Sequence, residues 1–191
     1  MLSRAKDSAW QPPTVGMLNV MWKLSIPPKI PIFSWRLFTA RLPLKDFLLS
    51  RGVVNITSNP LCVFCGNHPE TLIHLFFLCH VSKTMWSRVF LWLGDEKTFS
   101  LEEFMDFGTL QIKVKSHNDR RKINTIWIAI TWGIWLMRNA IIFEQLPYSF
   151  DVVSYNVMFF SWSWLASKEP FSSSSSFFDW YVLPLGCFKA L

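Results

Sequence analysis

The alternation of apolar and polar positions predicts helices along nearly the whole chain. From Pro31 the run PIFSWRLFTARL sets Phe33, Leu37 and Ala40 on one face, opens with proline in a first-turn position and must stop before Pro43. LKDFLLSRG follows with Leu44, Phe47 and Leu48 at i, i+3 and i+4, and ends on Gly52, suited to a left-handed cap. In SKTMWSRVFLWLG, Met85, Trp86, Val89, Phe90 and Leu93 form one stripe that Gly94 closes. Ser100 and Glu103 have capping-box spacing for a short helix ending near Gly108. A long helix begins at Asn118 or Asp119 and is stopped by Pro147, and Val153, Val157, Phe160 and Trp164 mark a last amphipathic one. Within the long helix, Ile123 to Met137 carries no charge. That is shorter than the roughly 20 residues a membrane span requires, and it holds Asn124, Thr125 and Thr131, so a buried core helix is expected rather than insertion in a membrane.

Composition supports a packed protein: 51% of the 191 residues are hydrophobic, enough for a real core. With four cysteines, three of them close together, the chain is not a disulfide-dense secreted scaffold. The charges and prolines of MLSRAKDSAWQPPTVG do not form an export signal. An intracellular, reducing location is expected, with the nucleus one candidate. Charge divides unevenly: residues 1–91 hold 10 Lys and Arg against 3 Asp and Glu, while residues 92–191 hold 9 against 10. A basic first half is the footprint of a polyanion partner, because cations that neutralise phosphates release condensed counterions.

The chemistry concentrates in LCVFCGNHPETLIHLFFLCHVS. Cys62 and Cys65 have knuckle spacing, with Gly66 supplying backbone freedom, and His74 and Cys79 complete Cys-x2-Cys-x8-His-x4-Cys. Three thiolates and one imidazole form a closed tetrahedral set for one structural Zn2+, with no position left for a reacting water. His68 and His80 are the rival ligands. His68 follows Cys65 too soon, and choosing His80 would strand Cys79 as a spare thiol. The competing reading is ordinary reduced core cysteines beside a surface histidine. His74 and Cys79 lie about 140° apart on an ideal α-helix, so ETLIHLFFL is expected to be helical from about Glu70 and to lose its last turn before Cys79.

MWKLSIPPKIPIFSWRLFTARLPLKDFLLSRG, followed by CVFCGNHPETLIHLFFLC and then Trp86, resembles the reverse-transcriptase zinc-binding domain of plant LINE-type retrotransposon polyproteins. The resemblance runs from about Trp22 to Leu93, and WGIWLMRNAIIF is similar to a segment that follows it in such polyproteins. It implies that Cys62, Cys65, His74 and Cys79 are the zinc ligands. Leu44 departs from the pattern, which has a threonine there; leucine cannot cap, and the second helix is expected to fray.

The organisation expected is mainly α: a flexible extension over 1–21, the zinc-binding domain over 22–94, a helical region over 95–167, and a serine-rich linker with a poorly ordered tail over 168–191. No pair of adjacent aspartates suggests a polymerase, and the scattered acids of the second half make no nuclease constellation, so a non-catalytic module is expected. Lys29, Arg36, Arg41, Lys45 and Arg51 are the candidate contacts to RNA or DNA. The alternative is an inactive structural or protein-interaction fragment without nucleic-acid affinity. The wealth of aromatic side chains also makes self-association through exposed apolar surface an expectation.

Overall fold

A computed structural model describes residues 15–53, 59–94, 117–167 and 176–189. Among these the regular structure is helical: α1 (Val15–Trp22), α2 (Lys29–Phe38), α3 (Lys45–Ser50), a π-helical turn (His74–Leu78), α4 (His80–Trp92), α5 (His117–Glu144), α6 (Phe150–Ala166), α7 (Phe177–Val182) and α8 (Pro184–Lys189). An isolated antiparallel bridge joins Leu61 to Pro69, and no strand is formed among the described residues. The mainly α expectation holds. The short helix expected from Ser100 to Gly108 lies outside the described residues.

The helix ends show where local sequence is overruled. α2 stops at Phe38, well before Pro43, because the chain turns at Ala40, which adopts a left-handed φ of 52°. The Arg41 amide donates to the Arg36 carbonyl at 2.7 Å across that turn. Ala40 is therefore exposed instead of sharing the buried face of Phe33 and Leu37, and the turn delivers Leu42 and Leu44 into the core. Gly52, with φ of 66°, closes α3 as expected. Leu44 makes no side-chain cap, also as expected, but the Lys45 amide donates to the Glu70 carboxylate at 3.2 Å, so a residue far along the chain supplies the cap.

One core runs through the described elements. Phe33, Leu37 and Phe38 from α2, Met85, Trp86 and Phe90 from α4, and Ile126, Trp127 and Ile130 from α5 belong to the same buried cluster. Trp127 lies at its centre, 5.7 Å from Phe38, 6.3 Å from Phe77 and 5.9 Å from Trp86 between ring centroids. α5 is long and apolar enough to cross a membrane by length and composition. Its apolar residues Ile123, Ile126, Trp127, Ile128, Ile130, Ile134 and Met137 are buried in this core, however, and Gly133 lets α6 approach so closely that a Cβ there would lie 3.3 Å from Val153 and Val157.

Of the extension over 1–21 and the linker and tail over 168–191, residues 1–14, 168–175 and 190–191 lie outside the described residues, and the rest include α1, α7 and α8. In α1, Met21 is wholly buried. In the tail, Ser176 and Asp179 form a capping box that starts α7, and Trp180 is buried with its indole N–H donating to Ser161 at 3.3 Å.

Candidate metal centre

The centre is assembled from two pieces of backbone. The first is the Cys62–Gly66 knuckle. Its stem pairs the Cys62 amide with the His68 carbonyl at 2.7 Å and the Glu70 amide with the Pro60 carbonyl at 2.9 Å. The knuckle closes through the Gly66 amide on the Cys62 carbonyl at 2.8 Å, and Gly66 takes a left-handed φ of 65° that a side chain would resist. The Lys45 ammonium donates to the Leu61 carbonyl at 2.7 Å and ties α3 to the stem.

The second piece carries His74 and Cys79. Thr71 starts its helix, its hydroxyl accepting from the His74 amide at 3.1 Å, so helical geometry begins at Leu72 and not at Glu70, whose amide is already committed to the stem. From His74 the helix widens into a π turn closed by the Cys79 amide donating to the His74 carbonyl at 2.7 Å. The sequence demanded that an ordinary α turn fail here. The turn is not lost but widened, and the i to i+5 bond brings His74 and Cys79 toward the same side. Cys79 itself is extended, with ψ of 133°, and α4 begins at His80.

Widening the helix leaves carbonyls at its end without helical partners, and α4 satisfies them. The Ser82 hydroxyl donates to the Leu75 carbonyl, and the buried Trp86 indole donates to the Phe76 carbonyl at 2.8 Å. Trp86 is thus both core and cap, a role its place in the apolar stripe did not reveal.

These pieces bring the donor atoms of Cys62, Cys65, His74 and Cys79 within 4.8 Å of one another. With Zn–S near 2.3 Å and Zn–N near 2.0–2.1 Å, a tetrahedral set spaces its donors by roughly 3.5–3.8 Å, so small adjustments complete the site. Cys65 Sγ and His74 Nε2 already lie 3.3 Å apart. Cys62 and Cys79 are buried, whereas Cys65 and His74 are half-buried. Three soft sulfurs and one imidazole fit one structural Zn2+.

The electrostatics favour the metal-binding forms of Cys79 and His74, while Cys62 holds its proton more tightly and would give it up to the ion. Cys62 and Cys79 share a hydrogen bond: it pushes the Cys62 thiol up, with burial adding to the effect, and pulls the Cys79 thiol down. The Val81 and Ser82 amides at the start of α4 also lower Cys79, favouring the thiolate that a metal requires. Burial, then the neighbouring His68 and His80, lower the pKa of His74 and keep its ring neutral. His68 is exposed and stacks on His74 with ring centroids 5.0 Å apart; among the histidines the metal-ligand cluster contains only His74.

Residues 5–86 match the model of a family described as zinc-binding in reverse transcriptase. The match contains all four ligands and stops inside α4. No curated protein and no solved structure matches the chain. The residues it covers are supported as a reverse-transcriptase zinc-binding domain by the match and the donor geometry together.

The five candidate nucleic-acid contacts separate in the structure. Lys29, Arg36, Arg41 and Arg51 are exposed. Lys29 lies over Trp132 at 5.6 Å, and Arg41 over Trp35 and Arg51 over Phe47 each at 5.4 Å. Lys45 is half-buried and engaged with the knuckle stem. Sequence reasoning missed Glu70 and Arg138. Arg138 Nη2 donates to Glu70 Oε1 at 2.7 Å in an ion pair that is almost wholly buried. A signal existed: Glu70 is the only acid between Asp46 and Asp95, and Arg138 the only cation between Lys122 and Lys168. Lone charges in apolar stretches need partners.

Proposed function

We propose that this chain is a non-catalytic module derived from a plant LINE-type retrotransposon polyprotein, in which zinc holds a basic surface for binding RNA or DNA. The observation that carries the reading is the closed Cys3His set inside a match to a zinc-binding family of reverse transcriptase. A site with four protein ligands serves folding rather than catalysis, so function falls to the surface it holds. Lys29 and Arg36 are seven residues apart on α2 and share one exposed face, and Arg41 follows at its C-terminal turn.

The test is binding of single-stranded RNA and DNA over a range of salt. If Lys29, Arg36, Arg41 and Arg51 all contact phosphates, log affinity falls against log salt with a slope of about −3. R36Q/R41Q together reduce that slope by about 1.4 and leave zinc content unchanged. Absence of binding at low salt, or binding indifferent to salt, overturns the nucleic-acid part. It would favour instead an interaction fragment, a reading supported by the engagement of three of these cations with aromatic rings. Exposed Phe143, Phe178 and Leu183 provide apolar surface for self-association, which sedimentation would detect.

A further inference from the structure

We infer that Arg138, on α5 and outside the matched residues, is a positioning residue for the metal centre, acting through Glu70. The inference rests on the metal site and is independent of nucleic-acid binding. Glu70 stands between the two pieces that carry the ligands. Its amide closes the knuckle stem on Pro60, its carbonyl accepts from the Asp46 amide at 3.4 Å, and its carboxylate caps α3 at Lys45. Thr71, the next residue, starts the helix that presents His74 and Cys79. Where Glu70 sits therefore fixes how the Cys62–Cys65 knuckle lies against the π turn.

Glu70 is completely buried. Burying a carboxylate is costly unless it is paired and hydrogen-bonded, and one left without its partner turns toward water. Arg138 supplies the compensation. It is itself buried, lies over the Trp135 ring at 5.1 Å, donates to Asn139 Oδ1 at 3.1 Å and reaches the Pro43 carbonyl at 3.4 Å. Its contact with Glu70 is single-pointed: Glu70 Oε2 and Arg138 Nε have no hydrogen-bond partner. Removing the guanidinium releases the carboxylate, and with it the end of the stem. A helix that the family match does not reach thereby becomes part of the metal site's support.

The test uses the full chain and Co2+ as the probe, with displacement by Zn2+ giving relative affinity; cobalt in a Cys3His tetrahedron reports geometry through its visible d–d bands. R138M should weaken metal binding by tenfold or more, in the range typical of supporting residues around metal ligands. R138K, which restores a point charge, should recover most of that loss. E70Q/R138M, with neither charge, should bind more tightly than R138M alone. V157A, in the α5–α6 contact away from the centre, separates support of the site from general loss of stability. The assignment is overturned if R138M weakens binding no more than V157A does, or if R138K gives no recovery. A wild-type chain without tetrahedral cobalt bands would overturn the metal centre itself, and this assignment with it.

Discussion

Placing threonine at position 44 should destabilise the protein, although threonine is the better cap. A cap at this point is worth about 1 kcal/mol, and on capping preference alone Leu44→Thr would be a gain. The structure reverses the sign. Leu44 is 3% exposed and belongs to the core, and the Lys45 amide already donates to Glu70. Truncating a buried leucine to alanine costs about 2–5 kcal/mol; threonine keeps one methyl of the leucine's volume but adds a hydroxyl to an apolar site. The expected balance is a net loss of about 1–3 kcal/mol, the cap recovering only part of the cost. Urea denaturation of the zinc-saturated protein, followed by far-ultraviolet circular dichroism, measures it. A midpoint equal to or above wild type at unchanged slope would refute the argument that burial outweighs capping at Leu44.

Three further outcomes follow from named features. Ala40→Gly should raise stability by about 1 kcal/mol, since glycine adopts the observed φ of 52° without the strain of a Cβ, and the same denaturation assay reads it. Trp127→Ala should cost about 3–5 kcal/mol; because Trp127 joins α2, α4 and α5, loss of the cobalt bands and of helical signal should coincide in one transition, and two separate transitions would contradict a shared core. The folded-state pKa of His74 lies below its ordinary value of 6.5, so its contribution to stability is complete above that pH and is lost as pH falls toward the lowered value. Denaturation midpoints from pH 7.5 to 5.5 should therefore decline on acidification, and a rise would contradict a buried neutral His74.

What could be read from the sequence was what periodicity and ligand spacing encode. The stripe from Met85 to Leu93 is buried as expected, Gly52 and Gly94 take left-handed conformations, and the four selected ligands converge. Less legible were features decided by tertiary partners. Ala40 ends α2 because its turn buries Leu42 and Leu44, an energy that local propensity does not contain. The i to i+5 bond at His74 was implied only as the failure of an α turn, since its compensation comes from Ser82 and Trp86 on the next helix. The Glu70–Arg138 pair spans two regions that the sequence suggested were distinct, and only the fold shows each lone charge finding the other.

The central claim is that one zinc ion, bound by Cys62, Cys65, His74 and Cys79, holds this fold together. Its most direct test is elemental analysis of the purified chain, paired with circular dichroism before and after a strong chelator. The account predicts about one zinc per chain and a large loss of helical signal on chelation, reversed when zinc is returned. Less than about half an equivalent of zinc, or a helical signal that chelation leaves unchanged, would contradict it.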